Sequence, residues 1–122
     1  MQAEEGLLTG RVIALGIEVH RQLGPGLLES AYEECLCHEF KLNGIRYARQ
    51  AKVPVTYKQV RLDCGYRLIE RELVVEIKAV ERLLPIHDAQ MLTYMRLTGI
   101  RLGLLMNFNN VVLREGLRRL VL

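Results

Sequence analysis

The apolar positions divide the chain into helical and extended segments. Between Leu8 and Leu23, Val12, Leu15, Val19 and Leu23 recur at helical spacing, with Ile13 and Ile17 widening the stripe, which predicts an amphipathic helix ended by Gly24-Pro25-Gly26. A second helix is predicted from about Leu27 to Leu42, with Leu28, Tyr32, Leu36 and Phe40 on one face and Asn43-Gly44 as its stop. The stretch from Arg46 to Val80 is rich in β-branched residues and predicts three strands, the first at an edge or bulge because it contains Pro54. Pro85 opens a third helix carrying Ile86, Ala89, Leu92 and Met95 at helical spacing, closed by Gly99. RLGLLMNF reads as a buried strand and LRRLVL as a last one. The order helix, helix, three strands, helix, one or two strands predicts an α/β layer domain, a mixed sheet flanked by helices, formed by residues 1–122 as a single unit.

Within the third predicted strand, ELVVEIKAV, alternation puts Leu73, Val75, Ile77 and Ala79 on one face and Glu76 and Lys78 together on the other, roughly 7 Å apart. A solvated Glu-Lys pair on a half-exposed strand would explain this simply. A different reading follows if Glu70-Arg71 is the turn of a tight hairpin. Leu68 then faces Leu73, Gly65 faces Glu76 and Asp63 faces Lys78, so that Asp63, Glu76 and Lys78 share a polar face. Two carboxylates can hold Mg²⁺, which keeps several waters, and a lysine can position the attacking water or neutralise charge on a phosphodiester. With Lys78 facing solvent, Lys78→Ala should abolish activity with little loss of fold.

Composition narrows the alternatives. The chain has 122 residues, half of them hydrophobic, enough for a core without metal or disulfide staples. Its three cysteines contain no C-x-x-C pair and its three histidines are scattered, so reduced thiols are expected and a zinc site is not. The opening residues show no basic leader followed by an apolar segment, and no apolar run approaches a membrane span, which predicts a cytoplasmic protein with no membrane partner. The net charge of +3 is modest but segregated. Six bases and no acid lie between Lys41 and Leu62, and five arginines against Glu115 alone follow Asp88. Arg46, Arg49 and Lys52, with Arg118 and Arg119, are therefore candidate contacts to a nucleic-acid backbone.

The E-x-K of Glu76 and Lys78, preceded by a hairpin and followed by a helix, resembles the core of the PD-(D/E)XK nuclease superfamily, whose fold is restriction-endonuclease-like. Gly26-Leu27-Leu28-Glu29-Ser30-Ala31-Tyr32, with VPVTYK, VVEIKAVERL, the QMLTY run and LLMNF, resembles the bacterial GxxExxY family within it, over most of the chain. Gln90 and Tyr94 match the Q-x-x-x-Y helix motif of RecB-type nucleases. The resemblance implies Mg²⁺- or Mn²⁺-dependent phosphodiester hydrolysis, with Glu29, Asp63 and Glu76 at the metal, Lys78 at the water and Gln90 in support, and Tyr32 and Tyr94 as packing and positioning groups. One feature departs from the pattern. Relatives carry R-x-D-L-x-V before the E-x-K strand, whereas Tyr66-Arg67-Leu68-Ile69-Glu70 has no aspartate, so Asp63 must substitute or the site keeps Glu29, Glu76 and Lys78 alone. The competing expectations are a non-catalytic nucleic-acid- or protein-binding member of the same fold, and an oligomeric assembly module such as a homodimer.

Overall fold

The computed structural model describes residues 2–70 and 72–122, with side chains for 7–52, 55–60 and 72–122. The order is α1 (Gln2–Leu23), α2 (Glu29–Leu42), β1 (Ala48–Tyr57), β2 (Val60–Glu70), β3 (Leu73–Lys78), α3 (Pro85–Thr98), β4 (Leu102–Asn107), a 3-10 turn (Leu113–Gly116) and β5 (Leu117–Val121). The five strands form one mixed sheet in sequence order, antiparallel except for the parallel pair β3 and β4. That parallel pair requires a crossover, and α3 supplies it. The α/β fold expected from the sequence is the one observed, with helices on both sides of a mixed sheet.

The alternation of β3 explains the layering. Leu73, Val75 and Ile77 join Leu104 and Met106 of β4 against Val12 and Val19 of α1 and Tyr32, Leu36 and Phe40 of α2. Val74 and Leu105 point the other way, onto Met91 and Met95 of α3. Two glycines allow the close contacts. A side chain at Gly103 would lie 2.6 Å from Met95 Sδ and 3.0 Å from Met91 Cγ, and one at Gly16 would collide with Met106 Cε.

The predicted helix faces need adjustment in detail. The buried stripe of α1 runs through Thr9, Val12, Gly16, Val19 and His20, while Ile17 and Leu23 are exposed. α2 begins at Glu29 rather than Leu27, which leaves Leu28 exposed as the cap residue. On α3 the contact face is Met91 and Met95, and Ile86 is exposed, because the helix seats its two methionines in the space left by Gly103. Pro54 lies in the edge strand β1, beside a register irregularity between Lys52 and Pro54.

The expected hairpin register is corrected by two residues. Glu70 pairs with Leu73, Ile69 with Val74 and Leu68 with Val75, so β2 runs further before it turns. A two-residue slip preserves which face each side chain takes but shifts its level along the strand. The recorded ladder ends at Leu68 and Val75; one further step would bring Arg67 level with Glu76, and Asp63 lies four residues further along β2, about 13 Å of strand. Asp63 pairs with Pro54 of β1 and does not stand opposite Lys78; its side chain lies outside the described residues.

Candidate active site at the end of the central strands

Glu76 and Lys78 are not a solvated pair. Their face of β3 is covered by α3, and Glu76 is buried although it is a carboxylate in an apolar strand. Lys78 Nζ lies 3.2 Å from Glu76 Oε1, with the two side chains 17 % and 9 % exposed. Lys78 therefore does not face solvent as expected: β4 lies beside it, with Asn107 as its ladder partner. The reason is the crossover, which lays α3 over the polar face and encloses a pair that an open antiparallel sheet would leave wet.

A second acid-base pair lies on this face. Glu76 pairs in the ladder with Leu105 and Leu105 with Arg118, so the three are in one row across β3, β4 and β5. Arg118 donates from Nη1 to Oδ2 of Asp88, in the first turn of α3, at 2.6 Å. Asp88 Oδ1 is buried and accepts no hydrogen bond among the described residues. Arg118 is thus tied to the start of α3.

Glu29 is the first residue of α2 and is exposed. The motif that contains it has a local structural logic. Tyr32, one turn further on, donates its hydroxyl to Gly24 O at 2.7 Å and accepts from Leu27 N–H at 3.0 Å, closing the Gly-Pro-Gly turn ahead of the helix. Its ring stacks on Phe108 at 4.6 Å. Phe108, just past β4, donates its N–H to the Lys78 carbonyl at 2.9 Å. These contacts set the first turn of α2 at the end of the sheet where β3 finishes, the end that carries Lys78. The same turn places Glu29 where the positive end of the helix dipole favours a carboxylate.

The other candidates are dispersed. Gln90 is exposed on α3, and Tyr94 is partly buried one turn along the same helix. Arg46, Lys52 and Arg119 are exposed. Arg49 instead turns to α2, where it binds Glu33 Oε2 at 3.2 Å and Glu34 Oε1 at 2.7 Å. The hydrogen bond from Arg49 lowers the carboxyl pKa of Glu34, and the same bond raises that of Arg49. Cys35 and Cys37 are free thiols, and burial pushes Cys37 up to about 11. Among the described residues no three His, Cys, Asp or Glu side chains gather in a metal-binding group. Sequence reasoning missed Asn107, Phe108 and Asp88. The first two lie within LLMNF, which alternation shows only as a buried strand end.

A family model described as the PD-(D/E)XK nuclease superfamily matches residues 7–120. The chain belongs to that superfamily. Its members are typically metal-dependent, and the E-x-K strand, the crossover helix and the mixed sheet occur here in the order the superfamily requires. Comparison with curated proteins and with solved structures found no match. No helix among the described residues is long and apolar enough to cross a membrane.

Proposed function

We propose that this member of the PD-(D/E)XK superfamily is a GxxExxY-type, metal-dependent nuclease-like protein that hydrolyses phosphodiester bonds in nucleic acid. The observation that carries the reading is the enclosed Lys78–Glu76 pair at the end of a central strand. Two opposite charges in an apolar strand add little stability, since well-packed apolar residues of similar volume are usually at least as stable, and that motivates a functional reading of the pair.

Carboxylates alone among the candidate ligands point to a hard cation. A dedicated cage is not present among the described residues, but Mg²⁺ and Mn²⁺ are held by one or two carboxylates with water completing the shell. Glu76 would be its first ligand, with Glu29, at the same end of the sheet but on the α2 layer across β3 from Glu76, and Asp63, on its observed register, the more distant candidates. Bound there, the ion would polarise the phosphodiester and lower the pKa of a water. Lys78 would place its ammonium where negative charge develops on the phosphoryl oxygens, and Glu76 would hold that ammonium in position beforehand. Gln90 would support the substrate from α3. The segregated bases, Arg46, Lys52 and Arg119 foremost, would hold the phosphate backbone, as charge rather than base readout dictates.

The rival reading, a non-catalytic nucleic-acid- or protein-binding member of the fold, gains from one observation. The β2–β3 register, continued one step past Leu68 and Val75, has Arg67 rather than an acid level with Glu76. The two readings separate on incubation of labelled single- and double-stranded DNA and RNA with Mn²⁺ or Mg²⁺. Slow cleavage that disappears in Lys78→Met, measured well below that variant's melting temperature, supports hydrolysis. Cleavage that persists unchanged in Lys78→Met contradicts it.

A further inference from the structure

Asn107 is fully buried at the end of β4, opposite Lys78 in the parallel ladder. Every hydrogen-bonding group of its amide is occupied. Oδ1 accepts from Val80 N–H at 3.0 Å and from Asn109 N–H at 3.3 Å. Nδ2 donates to the Val80 carbonyl at 2.9 Å and to Asn110 Oδ1 at 2.9 Å. Val80 lies two residues past Lys78, beyond the end of β3, so no strand ladder satisfies it. The Asn107 amide presents a donor and an acceptor together and binds both backbone groups of Val80, as a neighbouring strand's peptide would. Phe108 N–H holds the Lys78 carbonyl at the same level. An aliphatic side chain at 107 would leave Val80 N–H and C=O unpaired, and glutamine would overreach by a methylene.

We infer that Asn107 is a positioning residue for Lys78: by clamping both backbone groups of Val80 it fixes the end of β3 from which the Lys78 ammonium reaches Glu76. The inference rests on the reading of Glu76 and Lys78 as the reactive pair. It adds the group that holds Lys78 in register as the chain leaves the sheet for α3. A residue that merely filled the core would affect every strand alike, whereas a clamp acts on Val80 and Lys78 first.

The test reads position without metal or substrate. In the unmutated protein, amide exchange at Val80 should be slowed to within about tenfold of Val75 in the β3 ladder. Asn107→Asp turns the donor into an acceptor facing the Val80 carbonyl and Asn110 Oδ1, so the clamp should open at pH 8. Val80 protection should then fall about a hundredfold while that of Val75 changes by less than about threefold. Acetylation of Lys78, read by peptide mass spectrometry against exposed Lys58 in the same chain, should rise by at least about threefold as its backbone is freed. Val80 protection lost only in step with Val75, or a smaller rise at Lys78, overturns the inference. Should Asn107→Asp not fold, Asn107→Ser is read the same way, and fast Val80 exchange in the unmutated protein would by itself overturn the clamp. Absence of metal binding would count against the hydrolytic reading and would leave these two readouts unchanged.

Discussion

Replacing Lys78 by methionine keeps the length of the side chain and removes its charge, leaving Glu76 enclosed without the ammonium 3.2 Å away. Breaking a fully buried ion pair from one side costs about 3–5 kcal/mol, because the remaining charge is still out of water. Here the pair keeps 17 % and 9 % exposure, so some solvation returns and about 2–3 kcal/mol is expected. With an unfolding entropy near 2.1 cal/mol/K per residue over 122 residues, each kcal/mol lowers Tm by about 4 °C, giving a drop of about 8–12 °C. Glu76→Gln alone should cost less, since Lys78 can extend toward water. The double variant should recover to within about 1 kcal/mol of the unmutated protein, for a coupling energy of at least about 1.5 kcal/mol. The assay is a thermal and urea unfolding cycle over the four proteins. A Lys78→Met variant as stable as the unmutated protein, or strict additivity in the double variant, would refute the argument that the pair is enclosed and mutually dependent.

Tyr32→Phe keeps the ring stacked on Phe108 but frees Gly24 O and Leu27 N–H, and a calorimetric melt should show a loss of about 1–2 kcal/mol, or about 4–8 °C. A change below about 1 °C would mean that the hydroxyl does not close the turn. Cys37, raised to about 11 by burial, should react with iodoacetamide at pH 8 at least about a hundredfold more slowly than after unfolding in urea, as followed by mass spectrometry. The sign is that of a group kept neutral by the fold: its contribution to stability is complete below the ordinary thiol range and is lost as pH climbs toward 11. Nucleic-acid affinity should fall steeply with salt, and Arg46→Ala or Lys52→Ala should each reduce the slope by about one counterion. Arg49→Ala should change it less, because Glu33 and Glu34 already hold that guanidinium. Equal effects at all three positions in a fluorescence-anisotropy titration would contradict this ordering.

The layers of the fold were legible because their causes are local. Val74, Val75 and Ile77 make β3 a strand, and the spacing of Tyr32, Leu36 and Phe40 makes α2 a helix. The hairpin register was not legible, since a two-residue slip keeps every side chain on its face and hydrophobic alternation cannot detect it. For the same reason alternation puts Asp63 opposite Lys78 although its backbone partner is Pro54. Burial of Glu76 could not be read from β3 either, because it depends on where α3 lies. Only in the structure does Gly103 show the space in which Met91 and Met95 seat that helix. Arg49 looked like a phosphate contact from its basic surroundings, yet the acids that hold it are sixteen and fifteen residues earlier in sequence. The importance of Tyr32 was visible in the motif, but its hydroxyl contact with Gly24 was not.

Titration of the protein with Mn²⁺, followed by calorimetry and by the paramagnetic signal of free ion, tests the central claim most directly, because a phosphodiesterase site built on Glu76 must first hold a divalent ion. The account predicts saturable binding at one site by millimolar Mn²⁺, lost in Glu76→Gln and weakened in Glu29→Gln. No binding to the unmutated protein at millimolar Mn²⁺, or binding that survives Glu76→Gln intact, would contradict it and make the non-catalytic reading the better description of this fold.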